Sequence, residues 1–153
     1  MIGGYFPSRL GHTDGLLTDP LERSPGLLLV EDDAALRQMM LWDLCELGYR
    51  VYAVATCREA VDVCTRTHPQ LGIVDVRLPD GDGVELAASL MDMLSGLQIV
   101  LYTGDRAESA RERAPPNCVA VLAKPVSVRR LHSLLQSALD RVVSKQGKSK
   151  PPR

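Results

Sequence analysis

From Gly26 onward, short apolar runs alternate with stretches in which apolar residues recur every three to four positions. The run Leu27–Val30 stops abruptly on Glu31, Asp32 and Asp33, the pattern of a strand buried on both faces. Asp33 then stands where a helix N-cap belongs, ahead of a stripe of Leu36, Met39, Met40, Leu44 and Leu47 that ends at Gly48. The unit repeats. Residues 49–55, YRVYAVA, alternate like a strand, and Thr56 with Glu59 forms a capping box before a helix that His68-Pro69 terminates. LGIVD (71–75) reads as a buried strand, VELAASLMDML (84–94) as a helix and QIVLYT (98–103) as another buried strand. DRAESARERA (105–114) permits a helix but offers it almost no large apolar residue, so a weakly anchored segment is expected before Pro115-Pro116. VAVLA (119–123) is a fifth strand, and Val128, Leu131, Leu134, Leu135, Ala138 and Val142 mark a long amphipathic helix. This alternation predicts an α/β domain, with a five-stranded parallel sheet doubly wound by helices on both faces.

Composition adds limits. A chain of 153 residues with 45% hydrophobic and 24% charged residues suits one core. The predicted domain spans 27–143, between a flexible extension at 1–26, interrupted by Gly and Pro, and a basic tail or linker at 144–153. A net charge of -1 supplies no general field for nucleic acid. The KSKPPR end lacks interleaved aromatics and reads as a solvated linker, so no direct nucleic-acid binding is expected. With neither a signal-peptide pattern nor an apolar run of roughly 18 residues, the expected location is cytoplasmic, without a membrane partner. Cys45, Cys57, Cys64 and Cys118 lack paired metal-ligand spacing and read as reduced, small packing residues.

In folds of this class, ligands bind beyond the carboxyl ends of the strands. Glu31 and Asp32 end the first strand, Asp75 the third, Thr103 the fourth and Lys124 the fifth. Carboxylates gathered there repel by about 4 kcal/mol per pair at ~4 Å and an effective dielectric near ~20. A divalent cation relieves that repulsion, and an oxygen-only donor set favours Mg2+. Lys124 and Thr103 add one positive charge and one hydroxyl. Together these groups suit a phosphoryl group transferred to a carboxylate, with Asp75 the natural acceptor at the end of the central strand.

VEDD, IVDVRLPDGDG, YTGD and LAKP, in this order and spacing, resemble the receiver domain of two-component response regulators over about residues 27–143. Each motif alone is weak, whereas four on successive strands are specific. The resemblance implies a flavodoxin-like receiver fold with sheet order 2-1-3-4-5. It makes Asp75 the phospho-acceptor and Asp32 a direct Mg2+ ligand, with Glu31 acting through water and the Arg77 main-chain carbonyl as a third protein ligand. Thr103 becomes the switch hydroxyl and Lys124 the phosphate-binding amine, with Pro125 holding the loop. The implied partners are a sensor histidine kinase or histidine phosphotransfer protein and a downstream output domain or protein, with a phosphorylation-dependent dimer as a further expectation. Such a module catalyses only its own phosphorylation and dephosphorylation. Two positions depart from the family: Val121 replaces the tyrosine or phenylalanine three residues before the lysine, and Val126 the phenylalanine after Lys124-Pro125. Without a ring at position 121, activation is expected to act through residues 104–116, with the fifth strand nearly passive.

Plainer readings stand beside these. Asp33 is a helix cap, Thr103 before Gly104 is ordinary turn chemistry, and His132 on the last helix is a lone surface histidine. Cys57 and Cys64, seven residues apart, share a helix face for packing. The alternative function is a haloacid-dehalogenase-like phosphatase with an Asp nucleophile. Such an enzyme needs a second acid two residues after the nucleophile, where this chain has Arg77. A receiver can also be part of a hybrid kinase or a DNA-binding regulator, and nothing after Val143 resembles an output domain.

Overall fold

The computed structural model describes residues 23–146. The predicted extension at 1–26 and tail at 144–153 therefore lie largely outside the described residues. Five strands, β1 (Gly26–Val30), β2 (Arg50–Val54), β3 (Leu71–Asp75), β4 (Gln98–Thr103) and β5 (Ala120–Ala123), form one sheet. Its order is β2-β1-β3-β4-β5 and every pairing is parallel. The helices between them are α1 (Ala34–Glu46), α2 (Cys57–Thr67), α3 (Gly83–Met93), α4 (Ala107–Arg113) and α5 (Val128–Gln146). The last helix runs three residues past the expected boundary at Val143. Its final turn is polar and so falls outside an apolar count, yet Ser144 bonds back to the Asp140 carbonyl as a helical residue does.

Local chemistry sets the helix ends. Asp33 accepts the Leu36 amide at 2.9 Å, and Gly48 leaves α1 at φ 94°. Thr56 accepts the Glu59 amide, while the Glu59 carboxylate reaches back one residue beyond the cap, to the Ala55 amide. The next free amides of α2, on Cys57 and Arg58, are taken by Asp80 from the loop after β3. That satisfies orphan donors and ties the loop to the helix. His68 closes α2 in the left-handed region, at φ 50°.

Strand parity divides the core. Leu28, Val30, Val74, Ile99 and Leu101 face α2, α3 and α4, whereas Leu27, Leu29, Leu71, Ile73 and Val100 face α1 and α5. The α1 stripe needs correction. Met40 and Leu44 are buried in the core on the sheet and Leu41 is buried beside them, but Met39 is 54% exposed and Leu47 also faces solvent, as does Trp42 at 62%. A helix laid on a sheet buries a stripe narrower than its apolar sequence suggests, and Leu41, absent from the predicted set, takes the inner place. Cys64 is buried and the other three cysteines partly so, all as free thiols. Burial pushes the thiols of Cys57 and Cys64 up to about 11, so both stay protonated near neutrality. Among the described residues no helix is long and apolar enough to cross a membrane.

Candidate functional site

Parallel register brings the strand tips level. Val30 pairs with Val74, which sets Glu31 beside Asp75, and Asp75 pairs with Tyr102. By parity all three side chains leave the sheet on the α1/α5 side. Glu31 is 1% and Asp75 5% exposed, so the chain must neutralise two buried carboxylates. Lys124 does this from the loop after β5, with Nζ 2.9 Å from Asp75 Oδ2 and 3.0 Å from Glu31 Oε2. A backbone bond from the Lys124 amide to the Thr103 carbonyl holds that loop to the end of β4, and the Lys124-Pro125 peptide is cis. Burial by itself would lower the Lys124 ammonium, but hydrogen bonds to Asp75 and Glu31 and their charges outweigh it and hold the group above the usual lysine value.

Asp32 is exposed, and among the described residues its carboxylate accepts no hydrogen bond. One oxygen each of Glu31, Asp32 and Asp75 lie within 4.8 Å of one another. Hard oxygen donors at that spacing, two of them buried, fit a small divalent cation. The other Asp75 oxygen, Oδ1, accepts the Arg77 amide at 3.2 Å. Behind Asp75 the chain folds into a short antiparallel ladder, Arg77 and Leu78 against Gly81 and Asp82. Gly83 then returns so close to β3 that a Cβ there would sit 1.9 Å from the Asp75 carbonyl oxygen. Only glycine fits this approach. Thr103 is 2% exposed at the end of β4.

Sequence reasoning passed over Tyr102. Its buried hydroxyl donates to Glu31 Oε2, Met40 Sδ lies 3.5 Å away, and Lys124 Nζ stands 4.5 Å from its ring centroid. Burial first, then the Glu31 carboxylate, holds the phenol far above its usual range, so it remains a donor. A tyrosine one residue before a strand-end threonine, in register with the strand-end acid, was the available signal. His132 is also corrected: rather than a lone surface histidine, it is half-buried, with Nδ1 2.8 Å from the Tyr49 hydroxyl. Beyond Thr103 the anchoring is thin. Of α4 only Ala110 is buried, and the segment is held by ion pairs from Arg113 to Asp82 (2.9 Å) and from Asp105 to Arg77 (3.9 Å).

A parallel sheet in this order, with three acids and a lysine at one rim, defines a receiver module of the flavodoxin-like class. Residues 27–136 match the response regulator receiver domain, and the chain belongs to that family. It is similar to the polar-differentiation response regulator DivK of Brucella ovis, at 28% identity over 116 residues, covering 73% of this chain and 94% of DivK. It is 32% identical over 117 residues to the KDP operon transcriptional regulatory protein KdpE of Escherichia coli, covering 75% of this chain and 51% of KdpE. Among solved structures, a CheY-like receiver domain protein from Methanospirillum hungatei JF-1 superposes with a TM-score of 0.76 at 25% identity, covering 80% of this chain and 98% of that one.

Proposed function

We propose that this receiver, over residues 27–143, takes a phosphoryl group onto Asp75 from a sensor histidine kinase or phosphotransfer protein in the cytoplasm. The observation that carries this is Lys124 bridging two buried strand-tip carboxylates, with the Asp32 carboxylate beside them accepting no hydrogen bond among the described residues. An Asp75 oxygen forms a bond to phosphorus as the bond from phosphorus to the donor nitrogen breaks, and the electron pair of that bond leaves with the imidazole. Asp32, Asp75 and the Arg77 carbonyl would hold Mg2+ directly, with Glu31 acting through water. When bound, the ion supplies charge to the phosphoryl oxygens. Lys124 follows the incoming oxygens, and the Thr103 hydroxyl donates to one of them. The phosphatase reading is disfavoured by Arg77, which stands where such an enzyme needs an acid and points its exposed guanidinium toward Asp105.

Output follows from the thin anchoring of 104–116. A segment with little buried surface shifts at small cost, whereas Val121 has no ring to turn. The altered surface would engage an output domain, a partner protein or a second phosphorylated copy. Incubation with acetyl phosphate and Mg2+ is expected to add a single phosphoryl mass to the chain and none to Asp75→Asn. An adduct that persists in the variant would refute the assignment.

A further inference from the structure

Glu31 is gripped by three donors from three parts of the chain. Its Oε1 accepts the Asp33 amide at 3.0 Å, and its Oε2 accepts both Lys124 Nζ at 3.0 Å and the Tyr102 hydroxyl. The two donors on Oε2 differ in kind. Lys124 is shared with Asp75, so a phosphoryl oxygen arriving at Asp75 would compete with Glu31 for it. Tyr102 has one proton, a ring fixed between β4 and α1, and the carboxylate as its strong acceptor; Met40 Sδ is a weak acceptor by comparison.

We infer that Tyr102 is a positioning residue for the cation site: its hydroxyl keeps the Glu31 carboxylate oriented toward the acids while Lys124 is shared between Glu31 and Asp75. This rests on the receiver chemistry proposed above. It assigns to β4 a part in the site separate from Thr103, which follows Tyr102 and leaves the sheet on the opposite face. The ring contributes too, since an ammonium 4.5 Å from its centroid stays near the acids by cation–π attraction. Partners that orient metal-holding groups are typically worth roughly 10-fold to 100-fold in affinity. The low end of that range applies here, because Glu31 acts at one remove from the ion.

The test is a calorimetric titration of the full chain with MgCl2, alongside Tyr102→Phe, Glu31→Gln and the double variant. Tyr102→Phe keeps the ring and removes only the hydroxyl. It is expected to weaken Mg2+ binding about tenfold and to shrink the rise in melting temperature that Mg2+ produces. A merely structural hydroxyl would lower the Mg2+-free melting temperature but leave that rise unchanged. Because the hydroxyl acts through Glu31, the double variant should bind no more than about twofold more weakly than Glu31→Gln alone, the signature of coupled groups. Affinity of Tyr102→Phe within twofold of the unaltered chain, or additive losses in the double variant, would overturn the inference. An unaltered chain that binds no Mg2+ would instead sink the proposed receiver chemistry, and the role of Tyr102 with it. Should Tyr102→Phe fail to fold, 19F spectra of the 3-fluorotyrosine-labelled chain give the same answer. The Tyr102 signal, assigned by removing each of the other tyrosines in turn, should shift with Mg2+ at the calorimetric midpoint. A silent signal would refute the assignment.

Discussion

The two halves of the sheet's C-terminal rim are built on opposite plans. Around the tips of β1 and β3, Glu31, Asp75 and Tyr102 are buried and linked to one another directly or through the half-buried Lys124. Just past β4, residues 104–116 lie mostly on the surface, with Ala110 as the buried residue of α4 and exposed ion pairs as ties. Chemistry on a carboxylate needs groups fixed to fractions of an ångström, whereas reporting a changed state needs a segment that moves cheaply. On the proposed reading, setting one against the other would let a small change at Asp75 be felt without loosening the acids themselves.

The contrast is broken most severely at Gly83, where a Cβ would collide with the Asp75 backbone at 1.9 Å. Gly83→Ala is expected to cost roughly 4 kcal/mol or more in urea unfolding, a size seen only for steric or buried-charge defects, and to abolish labelling of Asp75. Removing the shared cation is next. Lys124→Ala leaves Glu31 and Asp75 facing each other without a counter-ion. Losing a fully buried partner costs about 3–5 kcal/mol; a lysine partly open to water should lose about 2–3, and added Mg2+ should restore part of it. Little or no recovery with Mg2+ would argue against a cation among these acids.

A neighbouring pair sharpens the distinction between holding the fold and holding an ion. Asp33→Ala removes the α1 cap and should cost about 1 kcal/mol with Mg2+ affinity unchanged, while Asp32→Ala should do the reverse. Equal loss of Mg2+ affinity in the two would refute the ligand choice. The smallest effect belongs to the pliable side. Arg113→Ala removes an exposed pair worth about 0.5 kcal/mol, yet amide exchange within 104–116 should quicken while β3 stays protected. With beryllofluoride as phosphate mimic, the same segment should change more than Val119–Ala123, and a silent 104–116 would refute this output route. The pair also has an acid signature. Burial raises the Asp82 carboxyl, but the bonds from Arg113 and the Val84 amide outweigh it and hold it below the usual aspartate value. Its contribution is present above the unfolded carboxyl range and lost as pH falls through the lowered one. The unfolding free energies of Arg113→Ala and the unaltered chain should therefore converge in acid.

Much of this architecture is legible in the amino-acid sequence. Apolar runs that stop on Glu31, Asp75 and Thr103, and caps at Asp33 and Thr56, are local signals written in adjacent residues, and the strands and helices they imply are those observed. The assembly of the site was not local. Tyr102 meets Glu31 across 71 positions of sequence, because β1, β3 and β4 align in register and parity sends their last side chains to one face. Asp80 capping α2 from another loop, and His132 folded onto Tyr49, depend likewise on which elements become neighbours. The α1 stripe shows the same limit from the other direction. Period alone assigned Met39 and Leu47 to an inner face, and only the width of the contact with the sheet decided that Leu41 goes in and they stay out. Periodicity and capping act over one or two turns and can be read from the chain; burial and hydrogen-bond partnership are properties of surfaces that meet, so packing had to decide them.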